Sequence, residues 1–368
     1  MKYFIVAGEA SGDLHGSNLA KHLKLNDSNA VIQAWGGDRM GQQGVEVKKH
    51  IRELAFMGFV EVLLNIRTIL RNFEVCKSQI EAFAPDALIL IDYPGFNMRL
   101  AKWANKKKIK TIYYISPQVW AWKKSRVKVL RRTVDEMFTI LPFEKDFYAK
   151  YGMKVHYEGH PLIDAIEDFK KNISVKKNTD DRPILALLPG SRKQEIKKML
   201  PVMLQASDAF SDTHRIIVAA LSILPKELYE TTRKNVEIIT DQTYNLLSDA
   251  QCAFVTSGTA TLETALFKVP LVVCYKANTL SYLIARQLVG KNIKYISLVN
   301  LIAEKEICTE LIQDKLTKEN MIYEMKKLIP PQPLRNTMLS EYDLLYSKLG
   351  GSGASERVAS KIINICKE

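Results

Sequence analysis

The chain has 368 residues, more than one hydrophobic core usually accommodates, so its length predicts two domains. An apolar fraction of 47% excludes a disordered chain. A net charge of +13 suits an anionic partner, such as a nucleic acid, an acidic lipid surface or a phosphorylated substrate, and a solvated basic face is the alternative. The five cysteines are scattered without a Cys-x-x-Cys pair, which argues against a disulfide framework or a zinc ribbon and favours a reducing compartment.

Short runs rich in Ile, Val and Leu alternate with longer helical patterns, which predicts an α/β fold with two doubly wound parallel sheets. The strands predicted in the first half are Lys2–Ala7, Ala30–Trp35, Asp86–Ile91, Thr111–Ile115 and Glu136–Leu141. The strands predicted in the second half are Pro183–Leu188, Arg215–Ala219, Val236–Ile239, Cys252–Thr256 and Leu271–Cys274.

A polar and highly charged segment, Asp168–Arg182, separates the two series of strands and predicts the linker. We therefore predict a first domain at residues 1–167 and a second at 168–345. A C-terminal helix within residues 346–368 is expected to pack back on the first domain. Because ligands of such sheets bind outside the carboxyl ends of the strands, the site is expected in a cleft that both domains face.

The first predicted strand leads into a glycine-containing turn at residues 8–13, before a predicted helix. Such a turn brings backbone N–H groups close to an anion or a polar sugar, although it can equally be a plain tight connection. The spacing Gly-x-Gly-x-x-Gly is absent, and Glu9 and Asp13 would repel a pyrophosphate. A nicotinamide-dependent enzyme is therefore disfavoured.

Asp92 directly follows the strand predicted to end at Ile91, where a carboxylate would point into the expected cleft. A general base must lie within hydrogen-bond reach of the hydroxyl that it deprotonates, so Asp92 is the candidate base. The structural alternative is a bridge from its side chain to the backbone of the following turn. His15 and His160 are further titratable candidates, and each could instead serve packing.

Two turns of the second half suit phosphate groups, because each combines small residues and hydroxyls at the start of a predicted helix. The first adds the guanidinium of Arg192, and the second is followed after one helical turn by Glu263, which could accept hydrogen bonds from a ribose diol. A plain turn and a simple helix cap are the alternatives. The candidate nucleotide-binding residues are Gly190, Ser191, Arg192, Ser257, Gly258, Thr259 and Glu263.

Two segments suit contact with lipid. Apolar residues from Met57 to Phe73 cover a wider helical face than one buried stripe needs, so they could enter acyl chains, line an acyl groove or lie under the sheet. The segment Tyr113–Trp122 ends in tryptophans and precedes cations, which suits membrane headgroups or stacking on a sugar or base. Twelve basic side chains and no acid lie between Asn97 and Val134. No apolar run is long enough to span a bilayer, so contact with an anionic membrane is expected to be peripheral.

Seven motifs carry a family resemblance. They are Gly8–Asp13, Met57–Val62, Ser116–Trp122, Leu141–Glu144, Gly159–Leu162, Leu188–Arg192 and Ser257–Glu263. In this order they resemble the motifs of the lipid-A-disaccharide synthase family, and the segment Ser297–Gln313 is similar to its last nucleotide-side segment. Each motif alone is weak, but the ordered series is specific.

The resemblance implies a GT-B fold of two Rossmann-like domains, with the donor nucleotide in the C-terminal one. It implies an inverting glycosyltransferase that joins UDP-2,3-diacylglucosamine to 2,3-diacylglucosamine 1-phosphate, making lipid A disaccharide 1-phosphate and releasing UDP. Such an enzyme needs no metal or other cofactor and is peripheral on the cytoplasmic face of the inner membrane of Gram-negative bacteria.

The same resemblance assigns residues. The family's strand-end aspartate, nucleotide-side arginine and late asparagine map to Asp92, Arg192 and Asn300. Gly95 replaces an acid of many relatives, so that acid cannot be essential here if the activity holds. Val299 replaces the usual proline before Asn300, which leaves the pose of that loop open. The acceptor-side candidates in the first domain are Gly8, Glu9, Ser11, Gly12 and Asp13.

Two other functions remain as alternatives. A non-hydrolysing UDP-sugar 2-epimerase shares the plan of two domains, and a basic nucleic-acid-binding protein would use the cationic segment. We expect no nucleic-acid partner. We also expect no metal, since the sequence has neither an Asp-x-Asp motif nor clustered cysteines. Whether the chain forms a homodimer is left open.

Overall fold

The computed structural model describes residues 1–54, 66–122, 124–172, 180–277 and 294–368. The chain divides into two compact units. Unit 1 comprises residues 1–165 and 349–368, and unit 2 comprises residues 166–348.

The described strands of unit 1 form one parallel sheet. They are β1 (Lys2–Ala7), β2 (Val31–Gly36), β3 (Glu46–His50), β4 (Ala87–Ile91), β5 (Thr111–Tyr114), β6 (Glu136–Thr139) and β7 (His156–Tyr157). Their spatial order is β3-β2-β1-β4-β5-β6-β7, with Ala7 paired to Ile91 and Ile91 to Tyr114. Every residue of β4 is buried, and hydrophobic clusters cover both faces of the sheet, which explains the uninterrupted apolar runs in the sequence.

The helices of unit 1 pack on both faces of this sheet. The first eight α-helices that the structure describes are α1 (Ala10–Asn26), α2 (Asp38–Gln42), α3 (Ile66–Phe83), α4 (Pro94–Lys106), α5 (Val119–Trp122), α6 (Val127–Thr133), α7 (Glu144–Ala149) and α8 (Pro161–Asn172). The unit boundary falls within α8. Residues 168–172, predicted as the beginning of the linker, are the end of this helix, because its amphipathic pattern continues past Ile166.

Unit 2 contains a second parallel sheet. Its described strands are β8 (Ile184–Leu188), β9 (Arg215–Ala220), β10 (Val236–Thr240), β11 (Ala250–Thr256), β12 (Leu271–Tyr275) and β13 (Glu310–Ile312), in the order β10-β9-β8-β11-β12-β13. The helices that follow α8 in the described chain are α9 (Lys193–Ser207), α10 (Thr243–Asp249), α11 (Thr259–Leu266), α12 (Leu298–Ala303), α13 (Lys318–Lys326) and α14 (Pro333–Lys348).

The last helix, α15 (Ala354–Lys367), belongs to unit 1. Its buried residues Val358 and Ile362 join Leu19 and Leu23 of α1 in one hydrophobic cluster. The Asp164 carboxylate accepts hydrogen bonds from the backbone N–H groups that begin α15. Apolar packing and a capped N-terminus therefore attach the end of the chain to the first sheet.

Each of the ten predicted strands occurs, and the predicted ends lie within two residues of the observed ones. Three of the strands that the structure describes were not predicted, and each lies at an edge of its sheet. β3 (Glu46–His50) is polar and only partly buried, and β7 and β13 are two and three residues long. Such strands lack the apolar run on which the prediction depends.

The order of the strands reverses between β1 and β4 in unit 1 and between β8 and β11 in unit 2. These reversals leave a crevice at the carboxyl ends of the strands, where α/β sheets bind ligands. The sequence predicts a turn at residues 8–13, but α1 begins at Ala10, so only Gly8 and Glu9 connect β1 to the helix. Asp92 and this start of α1 lie at the first reversal, and the turns at 189–192 and 257–259 lie at the second.

Candidate active site

Asp92 follows β4 in an uncommon backbone conformation. Its φ is +44° and that of Tyr93 is +48°, so two consecutive residues that are not glycine lie in the left-handed region. This conformation costs on the order of 1–3 kcal/mol per residue and is found at sites where the surrounding structure enforces it. The Asp92 N–H donates to the carbonyl of Tyr114 at 3.3 Å, which attaches the turn to β5.

The Asp92 carboxyl is an unusually weak acid. Its burial, together with the negative charge of Glu9, raises its pKa to about 6. Because Glu9 caps α1 at the end of β1, the sheet reversal brings these two carboxyls together. The carboxylate form of Asp92 is present at neutral pH and is more basic than that of an ordinary aspartate.

Gly8 must be glycine because the ring of Tyr93 covers it. A Cβ atom at this position would lie 2.5 Å from the Tyr93 ring, which is a severe overlap. Gly12 is packed more loosely, with its Cβ position 3.0 Å from that of Ala7. Both glycines therefore permit close packing at the sheet reversal, while Ser11 is exposed there.

Asp13 has structural contacts that the sequence did not predict. It is 4% exposed, and its carboxylate accepts hydrogen bonds from the N–H groups of Gly37 at 2.7 Å, Arg39 at 3.1 Å and Met40 at 3.2 Å. These groups surround the first turn of α2, so Asp13 joins α1 to α2 and caps the latter. Both of its oxygens are used in this way.

His15 and His160 are buried and uncharged. Burial lowers the pKa of His15 to about 4 and that of His160 to about 3. The Nδ1 atom of His160 accepts from the N–H of Leu162 at 3.2 Å. His156, four residues before His160, has a different partner: its Nε2 lies 2.6 Å from the Glu136 carboxylate.

Glu144 is a buried carboxyl that sequence reasoning passed over except as part of a motif. It is 1% exposed and accepts hydrogen bonds from Ser116 Oγ at 2.6 Å and the Leu141 N–H at 3.0 Å. Burial raises its pKa to about 7. Through Ser116 it anchors the segment that leaves β5, in which Ile115 also has a left-handed φ of +64°.

An apolar groove of about 600 Å³ lies beside the Asp92 turn, between α3 and α4. Its apolar wall includes Phe73, Phe96 and Trp103. Its cationic wall consists of Arg99, Lys102 and Lys106, which are spaced along one face of α4. Such a groove can hold an apolar chain with an anionic group at its edge. Residues 57–65 of the first segment predicted to contact lipid, and Lys123 directly after the second segment, lie outside the described residues.

In unit 2, the first predicted phosphate turn follows β8. Gly190 has a φ of +113°, and a Cβ atom there would lie 2.7 Å from the Glu195 carboxylate, so only glycine fits. Glu195 accepts hydrogen bonds from the Ser191 N–H at 3.1 Å and from Arg192 Nη1 at 2.9 Å. Arg192 is exposed. The predicted phosphate-binding groups of this turn therefore bind the Glu195 carboxylate, a partner that the sequence did not reveal.

The second predicted phosphate turn follows β11. Gly258 is the N-cap residue of α11 with open space at its Cβ position, and both Gly258 and Thr259 are exposed. Ser257 Oγ donates to the carbonyl of Ile296 at 2.9 Å and does not cap the helix. Glu263 is half-buried, its pKa is raised by burial, and it accepts from Tyr244 at 3.1 Å.

Asn300 is fully buried in α12. Its amide donates to the Cys308 carbonyl at 2.8 Å and to Glu310 at 3.0 Å, and its oxygen accepts from the N–H groups of Ile307 and Cys308. These contacts occupy both polar atoms of the side chain. Asn300 therefore fixes the segment before β13, and any effect on a nucleotide passes through that segment.

Neither a metal cluster nor a spanning helix occurs in the part of the chain that the structure describes. Within that part, no three His, Cys, Asp or Glu side chains are grouped closely enough to bind a metal ion. No helix within it is both long and apolar enough to cross a membrane.

The two doubly wound units define a GT-B type fold, which confirms the predicted fold class. The chain resembles UDP-GlcNAc 2-epimerase from Methanocaldococcus jannaschii, solved with UDP-GlcNAc and UDP, with a TM-score of 0.68 and 14% identity over 99% of this chain and 100% of that one. It also resembles the spinosyn rhamnosyltransferase SpnG, with a TM-score of 0.63 and 10% identity over 99% and 100% of the two chains. At these identities the likeness shows the fold alone.

The family is shown by sequence. Residues 3–347 match the model of the lipid-A-disaccharide synthetase family. The lipid-A-disaccharide synthase of Syntrophus aciditrophicus (strain SB) is 38% identical over 378 residues, which cover 99% of this chain and 97% of that protein. The chain belongs to this family and is a glycosyltransferase of the hexosyltransferase class. The predicted resemblance is confirmed, and the family match supports the transferase over the epimerase.

Proposed function

We propose that this enzyme joins UDP-2,3-diacylglucosamine to 2,3-diacylglucosamine 1-phosphate, with Asp92 as the general base. The observation that carries the proposal is the state of the Asp92 carboxyl at the sheet reversal, where burial and Glu9 raise its pKa to about 6. A base of this strength is ionised at neutral pH and accepts a proton from an alcohol more readily than an ordinary aspartate does.

The reaction is one displacement. Asp92 takes the proton of the acceptor 6-hydroxyl while that oxygen bonds to the anomeric carbon of the donor. The bond from this carbon to the diphosphate oxygen breaks, and its electron pair leaves with UDP. Attack from the face opposite the leaving group inverts the anomeric configuration.

Unit 2 binds the donor nucleotide in this proposal. The N–H groups of the turn at residues 190–192 and of the start of α11 meet the diphosphate, and the exposed Arg192 supplies a positive charge. Each such donor to a leaving group is worth about 3–4 kcal/mol in the transition state. Glu263 is assigned to the ribose, and Asn300 acts indirectly by holding the segment before β13.

Unit 1 binds the acceptor. The start of α1 offers the exposed Ser11 and the half-buried Glu9 to the sugar, whereas Asp13 supports α2. The groove between α3 and α4 suits an acyl chain, since its wall is mainly aromatic and aliphatic. Arg99 and Lys102 at its edge suit the phosphate of the acceptor or an acidic lipid headgroup.

The enzyme is proposed to act as a peripheral protein on the cytoplasmic face of the inner membrane. The exposed cations of α4 and α6 support this proposal. They are Arg99, Lys102, Lys106, Lys128, Arg131 and Arg132. Cations near an anionic bilayer contribute about 1 kcal/mol each. Several of them together with one apolar contact suffice for reversible membrane binding.

Incubation of the purified protein with both acylated substrates, followed by mass spectrometry, tests the function. We expect a disaccharide 1-phosphate and one UDP per product. A second incubation with the UDP-sugar alone tests the epimerase, which would form a 2-epimer without an acceptor. Absence of the disaccharide from the first incubation would contradict the proposal.

A further inference from the structure

Two buried side chains donate hydrogen bonds to the backbone of Asp92. The Tyr113 hydroxyl donates to the Asp92 carbonyl at 2.6 Å, and Asn97 Nδ2 donates to the same oxygen at 2.9 Å. Asn97 Nδ2 also lies 3.1 Å from the carbonyl of Ile91 and 3.3 Å from that of Val6. The Asn97 amide thus joins the ends of β1 and β4, and the Tyr113 hydroxyl adds a second hydrogen bond to Asp92 from β5.

These hydrogen bonds hold a backbone conformation that residues other than glycine disfavour. Asp92 and Tyr93 both have positive φ, and neither is glycine, so the turn would relax toward an ordinary conformation without external contacts. Relaxation would rotate the Asp92 carbonyl away from Tyr113 and would turn the Asp92 side chain in another direction. Tyr113 is suited to the role because its burial and the nearby charge of Asp92 raise the pKa of the phenol, which keeps its proton.

We propose that Tyr113 and Asn97 are positioning residues for the transfer reaction, which hold the left-handed turn and thereby aim the Asp92 carboxyl at the acceptor hydroxyl. The proposal rests on the role of Asp92 as the base. Neither side chain touches a reacting atom in it. Their effect passes through one carbonyl oxygen and the two backbone dihedral angles beside it.

Tyr113→Phe removes one hydroxyl and leaves the ring in the core. We expect kcat to fall roughly five- to twentyfold, because one of two hydrogen bonds is lost, with KM for both substrates within about twofold. The acid limb of kcat/KM should move to lower pH as the released carboxyl gains water. A purely structural role would not shift that limb.

Tyr114→Phe is the matched control. Tyr114 is the next residue of β5, is equally buried, and packs in the cluster on the opposite face of the sheet. This variant should keep the kcat and the pH profile of the wild type. Asn97→Ala removes the side-chain donor shared by the carbonyls of Val6, Ile91 and Asp92, while Asp92 keeps its hydrogen bond from Tyr113. This variant should lower kcat further, and a thermal melt checks that it is folded.

Hydrogen exchange provides a readout that does not need turnover. The N–H groups of Phe96 and Asn97 donate to the Tyr93 carbonyl at 3.2 and 2.9 Å, so their exchange reports the order of the turn. We expect faster exchange at both amides in Tyr113→Phe and not in Tyr114→Phe. If the wild type forms no disaccharide, the proposed function fails. The exchange data still test whether Tyr113 holds the Asp92 turn.

Two results would overturn the inference. One is a Tyr113→Phe enzyme with the kcat, pH profile and amide exchange of the wild type. The other is an equal loss of activity in both tyrosine variants that follows a loss of thermal stability, since this would indicate general packing.

Discussion

The Glu195 carboxylate accepts a hydrogen bond from the Arg192 guanidinium at 2.9 Å, at the turn proposed to hold the diphosphate of the donor. The same carboxylate accepts the N–H of Ser191. A bound diphosphate and Glu195 would therefore compete for the same two donors, and their negative charges would repel each other.

Replacing Glu195 by Gln should strengthen UDP binding. The amide keeps an acceptor for the Ser191 N–H but carries no charge, so we expect the Kd for UDP to fall about three- to tenfold in calorimetry at low salt. Glu227→Gln, elsewhere in unit 2, serves as the control and should leave the Kd unchanged. Weaker binding in Glu195→Gln would show that the carboxylate instead orients Arg192 for the ligand.

Asp92→Asn should remove the base and little else. We expect kcat to fall by roughly 10²- to 10⁴-fold while the Kd for UDP stays within about twofold. In the wild type, kcat/KM should decrease as the pH falls through about 6, since protonated Asp92 cannot accept a proton. Steady-state kinetics from about pH 5 to about pH 8 measure the loss of kcat and the decrease of kcat/KM at acid pH. A near-normal rate in the Asp92→Asn enzyme would direct the search for the base to Glu9 or His15.

Buried neutral histidines should make the fold sensitive to acid. The pKa of His160 is lowered to about 3, so its protonation is favoured in the unfolded chain from about pH 6.5 downward. Its contribution to stability is retained above that pH and is lost as the pH falls toward 3. His160→Asn retains an acceptor for the Leu162 N–H and should flatten the dependence of Tm on pH, whereas His22→Asn should not. Parallel curves for the two variants would contradict this.

Two glycines at the first sheet reversal should respond differently to alanine. Gly8→Ala places a methyl group 2.5 Å from the Tyr93 ring and should lower the free energy of unfolding by about 1–3 kcal/mol. Gly95→Ala finds open space in α4 and should be neutral or slightly stabilising. Urea denaturation compares the two, and equal effects would show that the Tyr93 ring moves freely.

The cationic wall of the groove should govern binding to acidic bilayers. The double replacement Arg99→Glu and Lys102→Glu reverses two charges, so we expect at least tenfold weaker sedimentation with vesicles that contain phosphatidylglycerol. Binding should also weaken as salt is added. Lys226→Glu with Lys234→Glu, in unit 2, is the control pair. Equal loss in both pairs would indicate a dependence on net charge alone.

The sequence by itself determined the α/β class, ten of the strands and the position of Asp92 at a strand end. It could do so because parallel strands buried on both faces require uninterrupted apolar runs, and because the chain leaves each run at the edge where ligands bind. The late strand β13 escaped prediction because its three residues carry too short a pattern. The ordered motifs added the family.

Only the tertiary structure decided which polar side chains are free to meet a ligand. Asp13 and Asn300 look like ligand-binding residues in the sequence, yet both are buried with their polar atoms occupied by backbone groups. Tyr113 reads as an ordinary strand residue, but its hydroxyl meets the carbonyl of Asp92, 21 positions away. Hydrogen bonds of this kind depend on strand order and on atoms brought together by folding, and no local pattern of residues encodes them.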